Sequence, residues 1–212
     1  MDRRQPGKAG LAAVFPIDRV LHGPRILLRR LTRGDAPAYL DLLEKNRLWV
    51  HPWMPEIPHP LSLQDLRKII DCEHHEVNRS QRVDLGIFRA TDASLIGRIA
   101  LHSIQWGVSF SGGLGYWVAA DQAGRGYMTE AVARLVCAVF EEAVLHRVWA
   151  GVQPANQPSQ RVLEKLGFVR EGLHRQELFI NGLWQDQFFY TLLENEFQRA
   201  RKFWAVKGWL AV

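Results

Sequence analysis

The sequence predicts an α/β fold in which a mixed, mostly antiparallel central sheet is flanked by helices. Three observations predict it. The runs "RVDLGIFRA" (82–90) and "LIGRIALHSIQW" (95–106) read as two strands joined by the polar turn "TDAS". The runs "FVREGLHRQELFI" (168–180) and "LWQDQFFYTLL" (183–193) surround Asn181-Gly182, a strong hairpin signal. Between these pairs, strand-like "LGYWVA" (114–119) and "RVWAGVQ" (147–153) alternate with segments of helical periodicity, which places helices over the sheet.

Taken in order, "RILLRRL" (25–31) is a strand that ends at Thr32. Asp35-Ala36-Pro37 opens a helix with proline in its first turn, and Tyr39, Leu42 and Leu43 form its apolar side. A loop is expected over "NRLWVHPWMPEIPHP" (46–60), because prolines at 52, 55, 58 and 60 forbid a regular element. Ser62 to Asp65 resembles a capping box with the shorter acid, and Leu66, Ile69, Ile70 and Val77 continue at helical spacing. A glycine-rich turn, "GVSFSGG" (107–113), leads to the strand at 114. After residue 126, Val132, Leu135, Val136, Val139 and Phe140 mark an amphipathic helix. A short helix over 157–168 stops at Gly167, and "NEFQRARKFWAVKGWL" (195–210) is a terminal helix.

The 212 residues, 47% hydrophobic and 23% charged, suit one soluble globular domain. We divide them into an N-terminal extension (1–22), the domain (23–195) and a C-terminal helix (196–212). No apolar run is long enough to span a bilayer, and the apolar stretch at 11–14 is too short for a secretory signal, so a cytoplasmic protein is expected. Two cysteines, Cys72 and Cys137, make neither a disulfide framework nor a paired metal motif. The formal charge of +5 is a modest solubility charge or an attraction to anions such as a phosphorylated cofactor, an acidic peptide or RNA. The basic residues are scattered and no RNA-recognition signature is present, so nucleic-acid reading is not expected.

The stretch "DQAGRGYMTEAV" (121–132) carries the chemistry. Gly124 and Gly126 remove two Cβ atoms where the chain leaves a strand and enters a helix, whose first N–H groups have no helical acceptor. A phosphate satisfies such groups, the helix dipole favours its charge, and Arg125 adds a cation. A tight turn that merely needs permissive φ accounts for the same glycines. A Rossmann site would need a third glycine near Thr129 and an acid closing the next strand, and a P-loop would need Gly-Lys-Ser/Thr; none is there.

The order "LGYWV", "GRGYMTEA", "HRVWAGVQPANQPS", "LEKLGF" and a hairpin with "NGLWQD" resembles the GNAT superfamily of acetyl-CoA-dependent N-acetyltransferases. "NRLWVHPWMP" narrows the resemblance to the RimJ/RimL-like branch, which acetylates protein N-termini, notably those of ribosomal proteins. The resemblance covers roughly residues 25–193. It implies that the strand holding Tyr116, Trp117 and Val118 splays from its neighbour, its backbone pairing with the pantetheine arm and polarising the thioester carbonyl. It implies that Ala123, Gly124, Arg125, Gly126, Tyr127, Met128 and Thr129 wrap the diphosphate. Asn156 would contact the cofactor arm, and Ser159 would sit near the sulfur, both binding cofactor and protonating the departing thiolate. Ser159 is also placed as an N-terminal helix hydroxyl. The tyrosine that many superfamily members use along this helix is replaced here by Leu163.

Other departures are Ala123 where the loop usually begins with Gln or Arg, and Met128 where it usually ends in Gly or Ala. Gly151 stands where many relatives carry a glutamate base. An α-amino group titrates at about 7.7–8.0 and a lysine at about 10.4, so at neutral pH roughly a tenth of the first is neutral, against about one in two thousand of the second. The missing glutamate therefore favours low-pKa amines. Candidate bases are Glu177 and His174; a solvated charge on a strand face is the more economical account of Glu177. Glu130 is read as holding the first helical turn. By resemblance Trp49, His51 and Trp53 form one wall of the acceptor pocket, and stiff aromatics suit an extended peptide.

Two further signals are set aside. "CEHHE" (72–76) lacks the remaining ligands of a metal site, so no metal is expected. The basic and aromatic C-terminal segment suits a membrane surface or a homodimer contact, but Phe197, Trp204 and Trp209 are expected to pack on their own domain, and no membrane partner is expected. The reading is direct acetyl transfer from acetyl-CoA to an amine, with a protein N-terminus preferred. A small-molecule amine (amino sugar, amino acid, polyamine or antibiotic) and a non-catalytic acyl-CoA-binding module stay open.

Overall fold

The computed structural model of the chain describes residues 11–54, 61–143 and 145–210. Its elements in order are α1 (Leu11–Val14), β1 (Val20–His22), β2 (Ile26–Arg29), α2 (Ala36–Val50), α3 (Leu63–Asn78), β3 (Val83–Arg89), β4 (Leu95–Gln105) and β5 (Ser111–Val118). Then come α4 (Tyr127–Ala138), which runs on into a π-helical turn, β6 (Arg147–Val152), α5 (Gln157–Lys165), β7 (Val169–Ile180), β8 (Leu183–Leu193) and α6 (Glu194–Val206). The eight strands form one sheet in the order β1-β2-β3-β4-β5-β6-β8-β7. Every neighbouring pair is antiparallel except β5 and β6. The sheet is thus mixed and mostly antiparallel, as expected.

Alternation along the strands sends successive side chains to opposite faces. One face packs Ile87, Ile99, Leu114, Val148 and Leu192 against α4, α5 and α6 in the larger core cluster. The other packs Phe88, Leu95 and Trp117 against Leu42, Leu43 and Val50 of α2 and Leu66 and Ile70 of α3. Ser62 caps α3 reciprocally: its hydroxyl accepts from the Asp65 N–H at 3.1 Å, and Asp65 accepts from the Ser62 N–H at 3.2 Å. Asn181 and Gly182 both take positive φ, 51° and 81°, as a tight hairpin turn requires.

The structure moves some boundaries. Helix α2 runs through Asn46 to Val50, because the first proline of the loop segment is Pro52, and His51 before it still has helical dihedrals (φ −48°, ψ −43°) with its N–H bonded to the Arg47 carbonyl. Prolines 55, 58 and 60 lie outside the described residues. Strand β5 starts at Ser111 rather than Leu114: Gly112 and Gly113 belong to it, since a Cβ on Gly113 would stand 2.8 Å from the rings of His102 and Trp149. Ile69 faces solvent on α3, with only Leu66, Ile70 and Val77 buried. Leu11, Val14 and Phe15 are buried and β1 joins the sheet edge, so part of the expected N-terminal extension packs with the domain. In α6, Phe197 stacks on Phe140 at 4.9 Å and Trp204 Nε1 donates to the Leu166 carbonyl.

Among the described residues no helix is long and apolar enough to cross a membrane. Glu73 of the "CEHHE" run bonds Arg98 at 2.9 Å, and His74 Nε2 lies 2.8 Å from the Leu31 carbonyl. Both side chains are engaged in holding α3 to the sheet.

Candidate active site

The parallel strands β5 and β6 pair over only three residues, Ser111 with Arg147, Gly112 with Val148 and Gly113 with Trp149. Beyond them β5 continues to Val118 and β6 to Val152 without pairing, so the two strands part and leave a gap. Backbone N–H and C=O groups of residues 115–118 border that gap on one side, and those of 150–152 border it on the other. Strand groups without partners form a template for an added extended chain. The Val118 carbonyl accepts the indole N–H of Trp49 at 3.0 Å, which ties the end of α2 to the end of β5.

At the end of β5 the chain turns into α4. Gly124 and Gly126 take φ of 75° and 86°, conformations that a side chain strains, and nothing lies within 4 Å of where a Cβ on Gly124 would sit. Among the described residues no backbone carbonyl accepts from the N–H of Gly124, Arg125 or Gly126. With the first turn of α4 they form an open set of donors. Met128 and Thr129 are buried, so only their backbone faces the loop, whereas Arg125 is exposed and Ala123 and Tyr127 are half-buried. Glu130 is fully buried and accepts from Arg25 twice, from its N–H at 2.6 Å and its Nε at 3.0 Å. Arg25 in turn donates to the Arg125 carbonyl at 3.1 Å and lies 5.0 Å over the Tyr127 ring. Glu130 thus holds the loop through Arg25, a link made across 105 residues of sequence that no local pattern signals.

On the α5 side of the gap, Asn156 caps α5 by accepting the Ser159 N–H at 3.2 Å. The Ser159 hydroxyl lies 3.0 Å from that of Tyr116, which reaches it from β5. Burial raises the Tyr116 phenol well above its usual range, so it remains a proton donor at neutral pH. Leu163, on the same helix, is fully buried in the core.

The opposite face of the gap is floored by glycine. Gly113 and Gly115 of β5 lie under His102, and Gly151 of β6 lies beside Gln187 and Phe189. Rings run across four strands: His102 meets Trp149 edge-on at 5.7 Å, Trp149 stacks on Phe189 at 5.2 Å, and Phe189 stacks on His174 at 3.7 Å. Burial and the nearby Arg82 lower the His102 imidazole below its ordinary value, so it is neutral at pH 7. A cavity of about 320 Å³ lies along this row, lined by Ser111, Arg147, Trp149, Glu171, His174 and Phe189 among others. Glu177 Oε2 is 3.3 Å from His174 Nδ1. Between His174, opposite Gln187, and Leu178, opposite Gln185, β7 carries two extra residues, with Gln176 at φ 51°, and Glu177 lies within this bulge.

The segment after α2 closes over this face. Asn181 at the hairpin tip donates to the His51 carbonyl, and Gln153 past the end of β6 donates to the Pro52 carbonyl at 3.0 Å. Trp53 is half-buried, its N–H bonded to the Val50 carbonyl. Trp49, His51 and Trp53 therefore lie on the segment that bridges β5, β6 and the hairpin. Tyr116's hydroxyl, His102 and Gln187 were not legible as site groups, because each lies on a strand whose alternation signals only burial.

The model of the acetyltransferase (GNAT) domain matches residues 25–169. The chain belongs to the GNAT acetyltransferase family. It is 36% identical to the probable N-acetyltransferase YjcK of Bacillus subtilis over 82% of this chain and 97% of that one. It is 26% identical to the [ribosomal protein uS5]-alanine N-acetyltransferase of Escherichia coli, over 79% and 87%. The structure of Mycobacterium smegmatis RimJ in complex with CoA-disulfide superposes with a TM-score of 0.80 at 26% identity, covering 90% and 92%.

As a GNAT N-acetyltransferase, this protein takes acetyl-CoA as its acyl donor. The residues present fit that group. The loop at 123–129 offers open N–H donors and room over Gly124 for a diphosphate, and the gap offers a strand edge for an amide-bearing arm. Cys137 is no rival nucleophile: it is buried in the core and its thiol is pushed up to about 12 by that burial and by Glu141.

Proposed function

We propose that this protein acetylates the N-terminal α-amine of a protein or peptide, of the ribosomal-protein type that the uS5-alanine enzyme modifies. One observation carries the reading: among the described residues, the carboxylates on the acceptor face are already matched by cationic or hydrogen-bonding groups. Arg98 holds Glu73 at 2.9 Å and Asp84 at 3.3 Å, Arg82 also holds Asp84, and Arg147 holds Glu171. Asp186 accepts the Gln176 N–H at 2.8 Å. Polyamines and amino sugars with several charges are drawn by surplus negative charge, and this face has little to offer them. An α-amine, a good part of it neutral at physiological pH, needs no such field. The aromatic row and the cavity along it suit the residues that follow the amine.

Acetyl-CoA supplies the activated thioester. The backbone of residues 115–118 aligns it, and the loop at 123–129 holds its anionic end. Ser159 Oγ holds the proton for the departing sulfur, with Tyr116 as the donor behind it. Glu177, paired with His174, receives through water the proton that the amine loses. The two proton-handling pairs stand on opposite faces of the sheet, one for each reactant.

The test is a thiol-release assay with acetyl-CoA, run on peptides with free N-terminal alanine or serine and on spermidine and an amino sugar, with mass spectrometry to locate the acetyl group. N-terminal acetylation at the highest kcat/KM supports the proposal. A preference for spermidine or the sugar replaces it with a small-amine enzyme, and acetyl-CoA binding without turnover on any amine replaces it with an acyl-CoA-binding module.

A further inference from the structure

The side chain of Gln187 presents an unexplained cost. It is 2% exposed, on β8, and its Nε2 has no hydrogen-bond partner among the described residues. A buried donor left unpaired is costly, so a native chain seldom keeps one without a use.

Its position supplies the use. Gln187 sits against Gly151, on the part of β6 that has left β5: a Cβ built on Gly151 would be 3.5 Å from Gln187 Oε1 and 3.6 Å from the Phe189 ring. Those are ordinary contact distances, so there is room for a methyl-sized group over Gly151, with Gln187 Oε1 at its edge. This space is on the acceptor face, since Phe189 stacks on Trp149, whose ring in turn covers Gly113.

We infer that Gln187 orients the acceptor, its amide hydrogen-bonding the α-amino–carbonyl unit of the incoming chain over Gly151. A primary amide carries an acceptor and a donor side by side. Oε1 can accept from the amine N–H while Nε2 donates to the first carbonyl, two bonds further along. A lysine ε-amine or a polyamine has no carbonyl at that spacing, so the residue selects N-terminal amines by what it would leave unpaired with any other. The assignment rests on the α-amine reading above. Gln187 is a positioning residue and moves no proton.

Gln187→Met tests it, because methionine nearly conserves the volume and removes both polar atoms. With a peptide bearing N-terminal alanine, we expect the peptide KM to rise about tenfold, the loss of about one buried hydrogen bond. The acetyl-CoA KM should hold within about twofold. The melting temperature should hold or rise, because an unpaired buried donor is gone. A peptide whose first carbonyl is reduced to methylene should bind the unchanged enzyme about tenfold more weakly, as a competitive inhibitor, and the variant no more weakly than the parent peptide. An unchanged peptide KM overturns the assignment alone, as does a lowered melting temperature with both KM values raised together, which marks a structural role. No acetylation of either peptide by the unchanged enzyme overturns the α-amine reading, and this assignment with it.

Discussion

The Tyr116 hydroxyl stands 3.0 Å from the Ser159 hydroxyl, one on β5 and the other in the first turn of α5. A proton-donating pair thereby links β5, one border of the gap, to α5, although the tyrosine position usual on α5 is the buried Leu163. The phenol arrives at the helix from the sheet instead. This relationship makes separate predictions for its two members.

Ser159→Ala should lower kcat by about 10²-fold, the usual range for loss of a general acid, and leave acetyl-CoA affinity by calorimetry nearly unchanged. Tyr116→Phe should lower kcat by roughly threefold to tenfold, the value of one hydrogen bond. Unchanged turnover in Ser159→Ala removes Ser159 from the chemistry.

Gly124→Ala tests the loop. A Cβ there meets nothing within 4 Å, so the folding cost is confined to the positive φ, about 1 kcal/mol. Coenzyme A binding should weaken by more than that cost accounts for, because the methyl stands in the open space that the diphosphate would use. Gly126 is a less clean probe, since its Cβ would come within 3.2 Å of Arg25 Nη2. Equal coenzyme A affinity in Gly124→Ala and the parent would remove the loop from cofactor binding.

Glu130→Ala leaves the Arg25 N–H and guanidinium without their acceptor. Stability should fall by about 1–3 kcal/mol, the smaller end being favoured because Arg25 is half exposed. Coenzyme A affinity should fall too, because Arg25 no longer holds the Arg125 carbonyl. Chemical denaturation and calorimetry read the two effects separately, and a stability loss with intact affinity would confine Glu130 to packing.

His102 sets a pH dependence. Its folded-state pKa lies below the ordinary 6.5, so the unfolded chain binds the proton more tightly. Its contribution is therefore full above about 6.5 and is lost as pH falls from there through the folded value. Asp35, held at about 2 by Arg29 and Thr32 against the effect of burial, contributes fully above its ordinary 3.8 and loses that contribution only as pH falls from there towards 2, below the window from neutral pH to about pH 5. Urea midpoints measured from neutral pH to about pH 5 should decline in the parent and flatten in His102→Gln. Parallel curves would assign the decline elsewhere.

Much of the fold was legible from local chemistry. The capping box at Ser62, the Asn181-Gly182 turn and the glycine stop at Gly167 depend on a few neighbouring residues, and the structure has each where the pattern placed it. The end of α2 departs from expectation for a local reason: the segment is rich in proline as a whole, but its first proline is Pro52, so the helix has room to run to Val50. The start of β5 departs from expectation for a tertiary reason: Gly112 and Gly113 resemble a turn locally, but Gly112 makes room for Leu101 and Leu145 and Gly113 for the rings of His102 and Trp149.

What the sequence determined by itself was the order of elements, the two-glycine helix entrance and the family resemblance, because periodicity, capping and turn chemistry act over a few residues. The tertiary structure alone decided which groups meet. Tyr116 reaches Ser159 across 43 residues, Arg25 reaches Glu130 across 105, and Gln187 borders Gly151 only because β8 pairs with β6. Strand alternation says that a side chain faces one side or the other, but the strand order decides what it finds there.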